Sequence, residues 1–234
     1  MRLKSALRRG VAAAVIAGVV VSSGIPAYAG TWDIANGDIT VKGASDESGN
    51  YNKVKQGDKD FEKDEGETVI TGESDKNTVT IDTSGGKVDV TFDDLKIDAS
   101  DKGKAAVRVE GGHDATIELD GDNKLKSGSH NAGLEKNGNE SSGKLTIKDD
   151  NDTKGSLTAK GGEGGGAGIG GGIKSTGSSI TIRGGTIKAV GGSNAAGIGD
   201  GAGRATGPTD DPNPGDLYIC GDACLLYTSD AADD

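Results

Sequence analysis

Ser156-Leu157-Thr158-Ala159-Lys160-Gly161-Gly162, followed after a spacer by Ala167-Gly168-Ile169-Gly170-Gly171-Gly172, comes back as Thr186-Ile187-Lys188-Ala189-Val190-Gly191-Gly192 and Ala196-Gly197-Ile198-Gly199-Asp200-Gly201. Ala159 and Ala189 are 30 residues apart, and Ile169 and Ile198 are 29 apart. Between the two lines lies a third piece, Ser179-Ile180-Thr181-Ile182-Arg183-Gly184-Gly185. A period near 30 with short apolar pieces marks a stacked repeat. The pieces are too short for helices, and they alternate apolar with small or polar residues as half-buried strands do. Glycines fall between them, where the chain must turn. The expected fold is all-β: a right-handed, three-sided parallel β-helix, with right-handedness following the crossover rule. Neighbouring coils would lie about 4.8 Å apart, so Ile169 should sit on Ile198.

Working outward, the same alternation reaches back to Thr78. Thr78-Val79-Thr80-Ile81, Val88-Asp89-Val90-Thr91-Phe92, Leu95-Lys96-Ile97, Ala105-Ala106-Val107-Arg108-Val109 and Ala115-Thr116-Ile117-Glu118-Leu119 all have period two. Asn131-Ala132-Gly133-Leu134 is a weaker form of Ala167-Gly168-Ile169, and Lys144-Leu145-Thr146-Ile147-Lys148 corresponds to Ile180-Thr181-Ile182. The β-helix is expected over 78–223, with Thr206 to Gly215 as a corner loop. Residues 30–77 read as a cap: a strand at Ile39-Thr40-Val41, then a charged, solvated loop with partial disorder from Gly43 to Gly66. Trp32 is expected to plug the exposed end of the core, with a sugar platform as the other reading.

The two ends differ from the middle. Residues 1–29 open with Arg2, Lys4, Arg8 and Arg9, run through the apolar stretch Val11 to Val21, and finish Ala27-Tyr28-Ala29. That is the pattern of a secretory signal peptide cut after Ala29, and it predicts a secreted or cell-surface protein with no transmembrane segment in the mature chain. Residues 224–234, Cys224-Leu225-Leu226-Tyr227-Thr228-Ser229-Asp230-Ala231-Ala232-Asp233-Asp234, fit no strand or turn logic of the repeat. They resemble the translation of a sequencing adapter and are expected to be non-native, which leaves the chain truncated in mid-coil at Ala223. Without that tail Cys220 is the single cysteine, so an internal disulfide framework is excluded. The net charge of −11 becomes −15 without the leader and −12 without the tail as well, which argues against nucleic acid as a partner.

Few residues point to chemistry. The Gly166–Gly171 run spells GxGxxG, but no helical pattern follows it, as a dinucleotide site requires. Gly161–Gly166 lacks the aspartate of a calcium-binding nonapeptide. The acidic corners are the candidate metal site. Asp120, Asp122, Asn123, Asp149, Asp150 and Asp152, with Asp93-Asp94 nearby, offer oxygens of the kind Ca²⁺ takes, although Asp, Asn and Gly are also ordinary turn residues. His113 and His130 have no nucleophile pattern around them. Arg108 and Lys124 are the bases a lyase reading would need, and nothing in their spacing singles them out.

From Thr78 to Gly201 the chain resembles the clostridial β-helix carbohydrate-binding domain family. The residues that carry the likeness are Val90-Thr91-Phe92-Asp93-Asp94-Leu95-Lys96-Ile97, Ala105–Val109, Thr116–Asn123, Leu145-Thr146-Ile147 and Gly155–Ala159. The Ala-Gly-Ile-Gly stretches are similar to those of large gut-bacterial surface proteins. The resemblance implies a secreted or surface protein with a polysaccharide-lyase-like fold, acidic-polysaccharide or cellulose binding, and bound calcium; the expected function is a non-catalytic module whose partner is a polysaccharide or a host or cell-wall glycan. The mature aromatics Trp32, Tyr51, Phe61, Phe92 and Tyr218 form no repeated stacking platform, so binding would rest on polar side chains. A structural stalk without glycan affinity is the alternative, and a polysaccharide lyase is the third reading.

Overall fold

The computed structural model describes residues 30–64, 66–203, 217–219 and 224–228. The signal-peptide reading of 1–29, the corner loop at 206–215, Cys220 and the end of the tail lie outside these residues. In chain order the strands are β1 (Thr31–Asp33), β2 (Ile39–Asp46), β3 (Gly49–Gln56), β4 (Glu62–Asp64), β5 (Thr68–Ser74) and β6 (Val79–Asp82). They continue with β7 (Val88–Asp98), β8 (Val107–Glu110), β9 (Ala115–Lys126), β10 (Leu134–Glu135), β11 (Leu145–Lys148) and β12 (Gly155–Lys160). The last are β13 (Ile169–Gly170), β14 (Ile180–Ile182), β15 (Thr186–Val190), β16 (Ile198–Gly199), β17 (Leu217–Ile219) and β18 (Cys224–Thr228).

These strands form an all-β structure of two sheets. One runs β1-β5-β7-β9-β11-β14-β17, with β12 joined to β9 and β15, and β18 joined to β15; the other runs β16-β13-β10-β8-β6-β2-β3-β4. Every strand pair is parallel except β2–β3 and β3–β4.

Registers link like residues of successive repeats. Ile39, Val79, Val107, Leu134, Ile169 and Ile198 form one line of Cα partners. Val90, Ile117, Ile147, Ile182 and Ile219 form a second, and Ile97, Leu125, Ala159, Ala189 and Tyr227 a third. From Ile39 through Ile198 the apolar members of all three lines are buried in one continuous core, with only Ile198 partly exposed. Each buried Ile or Leu contributes about 1.5–3 kcal/mol, and each needs its neighbours above and below to be covered. Removing one side chain should therefore be felt in both directions. Ile117→Ala is expected to lower unfolding free energy by about 2–4 kcal/mol in a denaturant titration.

The parallel registers begin earlier than Thr78, since β1 pairs with β5 and β2 with β6. The expected solvated loop over Gly43–Gly66 is instead an antiparallel arrangement of the end of β2 with β3 and β4. Its alternation is real, but two of its inward residues are amides rather than hydrocarbons. Asn52 is buried and donates to Thr68 Oγ1 (2.8 Å) and to the Asp89 carbonyl (2.7 Å). Gln56, also buried, donates to the Asp33 carbonyl at 2.6 Å. Trp32 is half-buried against the core, as a plug would be. Its indole N–H donates to Asp64 Oδ2 (3.2 Å), which also accepts from Thr68 Oγ1.

At the other end, Cys224–Thr228 runs beside β15 in parallel register, contrary to the expectation that this segment has no strand character. Without this segment the outer edge of β15 would present unpaired N–H and C=O groups, and a segment containing Leu, Tyr and Thr can pair with such an edge through its backbone alone.

Candidate functional site

The expected metal ligands sit at two neighbouring corners, and most are engaged elsewhere. Strand β9 turns its corner without a loop: Gly121 at φ 65° lets the chain bend while its ends stay paired to β11 and β12. A Cβ there would lie 2.5 Å from Asp94 Oδ1, an atom that instead accepts the backbone N–H of Asp122 at 2.9 Å. Gly121→Ala is expected to cost about 1–2 kcal/mol, read as a lowered Tm, because both the left-handed φ and the contact forbid a side chain.

Asp122 pairs with Lys124 Nζ at 2.6 Å and accepts from Ser156 Oγ at 3.0 Å. Those bonds, the lysine's first, hold its carboxyl below the ordinary aspartate range. Asp120 accepts from Asn151 Nδ2 at 2.7 Å. Asp150 pairs with Lys148 at 2.6 Å. Asn123 is fully buried within the fold and binds backbone groups. Asp149 and Asp152 lie on the 149–154 corner, Asp149 half-buried beside Gly184 and Asp152 exposed. Asp93 faces Asp120 in register; burial first, then the nearby charges of Asp94 and Asp120, push its carboxyl up. Among the described residues no three His, Cys, Asp or Glu side chains come together in a way that could hold a metal ion.

The other sequence candidates are also occupied locally. His113 Nδ1 lies 2.8 Å from the Thr83 carbonyl, and His130 Nδ1 lies 3.1 Å from Ser129 Oγ. Arg108 bonds Glu135 at 2.8 Å and approaches Glu140 at 3.6 Å. Lys124, held by Asp122, keeps its proton more tightly than a free lysine.

One concavity was not revealed by the sequence. Outward side chains of β7, β9 and β11 form the floor of an open polar groove of about 790 Å³. Two registers run along it: Asp89–Thr116–Thr146 and Thr91–Glu118–Lys148. Successive rungs are about 4.8 Å apart, so hydroxyls and charges recur at fixed intervals. The antiparallel arm supplies one wall through Asn50, Tyr51 and Asn52, and the exposed Arg183 lies at the far end. Lys63 sits 4.2 Å from the Tyr51 ring centroid and fixes that aromatic by a cation–π contact.

The groove floor is electrostatically tied down. Glu118 is almost fully buried and pairs with Lys148 at 2.7 Å, while its other oxygen accepts the Asp150 N–H at 3.0 Å. Partial burial works against the Lys148 ammonium, but the hydrogen bonds it donates to Asp150 and Glu118 outweigh it and raise its pKa. Thr91 Oγ1 donates to Glu67 Oε1 at 2.5 Å. The result is a rigid array of fixed donors and acceptors. Its lysine is a donor, held away from the deprotonated state that a general base needs.

Sequence reasoning missed a second polar group, inside the fold. Lys136 follows β10 in the place that Val109 holds one strand earlier, and it is fully buried. Its ammonium donates to the carbonyls of Ser141 (3.0 Å) and Ser178 (2.9 Å), linking two corner loops that are 35 or more residues apart in sequence. Burial pulls its pKa down to about 8. Glu135 beside it points the other way, into a shell made by Arg108, the Ala132 N–H and Asn137 Nδ2. Burial pushes its carboxyl up despite the arginine. No helix of the described residues is long and apolar enough to cross a membrane. No family model matches the chain, and neither a curated protein nor a solved structure matches it.

Proposed function

We propose that the chain is an exported, non-catalytic carbohydrate-binding module, built as a right-handed three-sided parallel β-helix, and that the groove over β7, β9 and β11 holds the glycan. The order in which the chain visits its registers supports the architecture. Ile39, Thr68, Ser74, Val79, Val90, Ile97, Val107, Ile117 and Leu125 fall on the three lines of partners in constant rotation, as a chain winding around a prism would. The signal-peptide pattern supports export.

The observation that carries the functional reading is the groove itself. It is open along the direction of strand stacking, its rungs repeat about every 4.8 Å, and its lining is hydroxyl, amide and charge with one aromatic wall. A linear chain of hydroxyl-rich rings laid along that direction would meet the same donors and acceptors at successive rungs. The protonated state of Lys148 and the pairing of Arg108 and Lys124 favour binding over the proton abstraction of a lyase.

Pull-down on insoluble polysaccharides and a glycan array, each with and without calcium, test this. Retention of the wild-type chain is expected, with Tyr51→Ala weakening it by about 5–10-fold through loss of the aromatic wall. Failure to bind any glycan under either condition would remove the reading and leave a structural stalk.

A further inference from the structure

A different face carries a charge pattern that neither the composition nor the groove explains. The second halves of β7 and β9, with β12 and β15, present outward lysines in register. Lys96 faces Lys124, Lys124 faces Thr158, and Thr158 faces Lys188. In the adjoining line Asp98 faces Lys126, which faces Lys160. Five lysines thus lie within four neighbouring strands of a chain whose formal net charge is −11.

Asp122 and Asp98 engage Lys124 and Lys126. Among the described residues Lys96, Lys160 and Lys188 have no ion-pair partner, and Lys160 and Lys188 are exposed. Like charges about 4.8 Å apart repel, and that cost is relieved when an anionic chain bridges them. The overall negative charge acts weakly here, because ions screen it beyond about 8 Å at physiological salt.

We propose that this lysine face is a docking surface for a linear polyphosphate-type chain, a flexible run of phosphates without bases or sugar rings. The lysines supply point charges, which suit phosphate oxygens approaching from any angle. The registers of the face hold Lys, Asp, Ser and Thr at their outward places, with Glu73 opposite Lys96 and Val190 opposite Lys160, and among the described side chains no aromatic, so rings and bases would find nothing to stack on. That absence favours a ring-free polyanion over a uronate polysaccharide or single-stranded nucleic acid. The site is separate from the glycan groove and stands or falls apart from it.

Fluorescence anisotropy with the full chain and end-labelled inorganic polyphosphate provides the test. Affinity should fall with rising salt, log K against log[salt] having a slope of about −2 to −4, for three to five neutralised phosphates at roughly −0.7 each. The exposed double variant Lys160→Gln with Lys188→Gln should lose roughly tenfold in affinity. A control double, Lys55→Gln with Lys59→Gln on the antiparallel arm, should change it less than about twofold. Equal losses in the two doubles, absence of binding, or tighter binding of polygalacturonate or oligothymidylate than of polyphosphate would each overturn the proposal.

Discussion

Replacing Lys136 with alanine is expected to cost the fold about 3–5 kcal/mol, a loss read directly by denaturant unfolding. The truncation leaves a cavity at a fully buried place and leaves the Ser141 and Ser178 carbonyls without their donor. Lys136→Met separates the contributions. It fills most of the space and removes the desolvated charge, but still orphans the two carbonyls at about 1–3 kcal/mol each. The relief and the penalty are of similar size, so the methionine variant should lie within about 2 kcal/mol of the wild type at neutral pH.

The two chains should part at high pH. The Lys136 pKa is lowered from 10.5 to about 8 in the folded state. Below pH 8 both folded and unfolded chains hold the proton, and the buried charge weighs on the fold in full. Between about 8 and 10.5 the unfolded chain binds a proton that the folded chain has released, so the stability of the wild type rises with pH relative to Lys136→Met. The relative gain is roughly 3 kcal/mol, at 1.36 kcal/mol for each pH unit across that window. Parallel stability curves for the two proteins from pH 7 to 10.5 would show that the ammonium is not confined as described.

Lys136 also marks where sequence reading stopped. The repeat was legible because its information is apolar: Ile169 over Ile198, Ala159 beside Ala189, and Leu145 with Ile180 are pairings that spacing alone predicts. Hydrophobic periodicity cannot find an inward residue that is polar, and this chain uses several. Asn52 and Gln56 made an ordered arm read as a loop, because their burial is made tolerable by partners at Thr68, Asp89 and Asp33 that no local window contains. Lys136, between Glu135 and Asn137, gave no apolar signal for the same reason. The groove was hidden differently. Its floor residues were each visible as the polar half of a strand, but Tyr51 joins them only because the antiparallel arm folds over β7 and β9. The acidic corners were read chemically as ligands. Sequence gives the carboxylates but not the lysines and amides of other repeats that face them, such as Lys124 for Asp122 and Asn151 for Asp120.

Asn123 brings that distinction to an experiment, and its substitution should be as severe as that of Lys136. Its Oδ1 accepts the Leu95 N–H at 2.9 Å, and its Nδ2 donates to the carbonyls of Asp120 (3.0 Å) and Ser156 (3.1 Å). It stands in register with Leu157 and Ile187, so it occupies a core place and serves three backbone groups at the bend of β9. Asn123→Ala should therefore lose about 3–5 kcal/mol, since three buried groups lose their partner together. Asn123→Leu fills the space and should recover less than half of that, because the orphaned groups remain. Asn123→Asp keeps the acceptor for Leu95 but turns a carboxylate oxygen toward two carbonyls. It should be the least stable of the three at pH 7 and should regain stability as the solution is acidified and the new carboxyl becomes a donor. A calcium ligand would behave in the opposite way: aspartate would strengthen the site, and added Ca²⁺ would raise the Tm of the variant. Thermal unfolding of Asn123→Asp at pH 4 and pH 7, with and without Ca²⁺, separates a backbone clamp from a metal ligand, and the bonds that Asn123 makes predict the clamp.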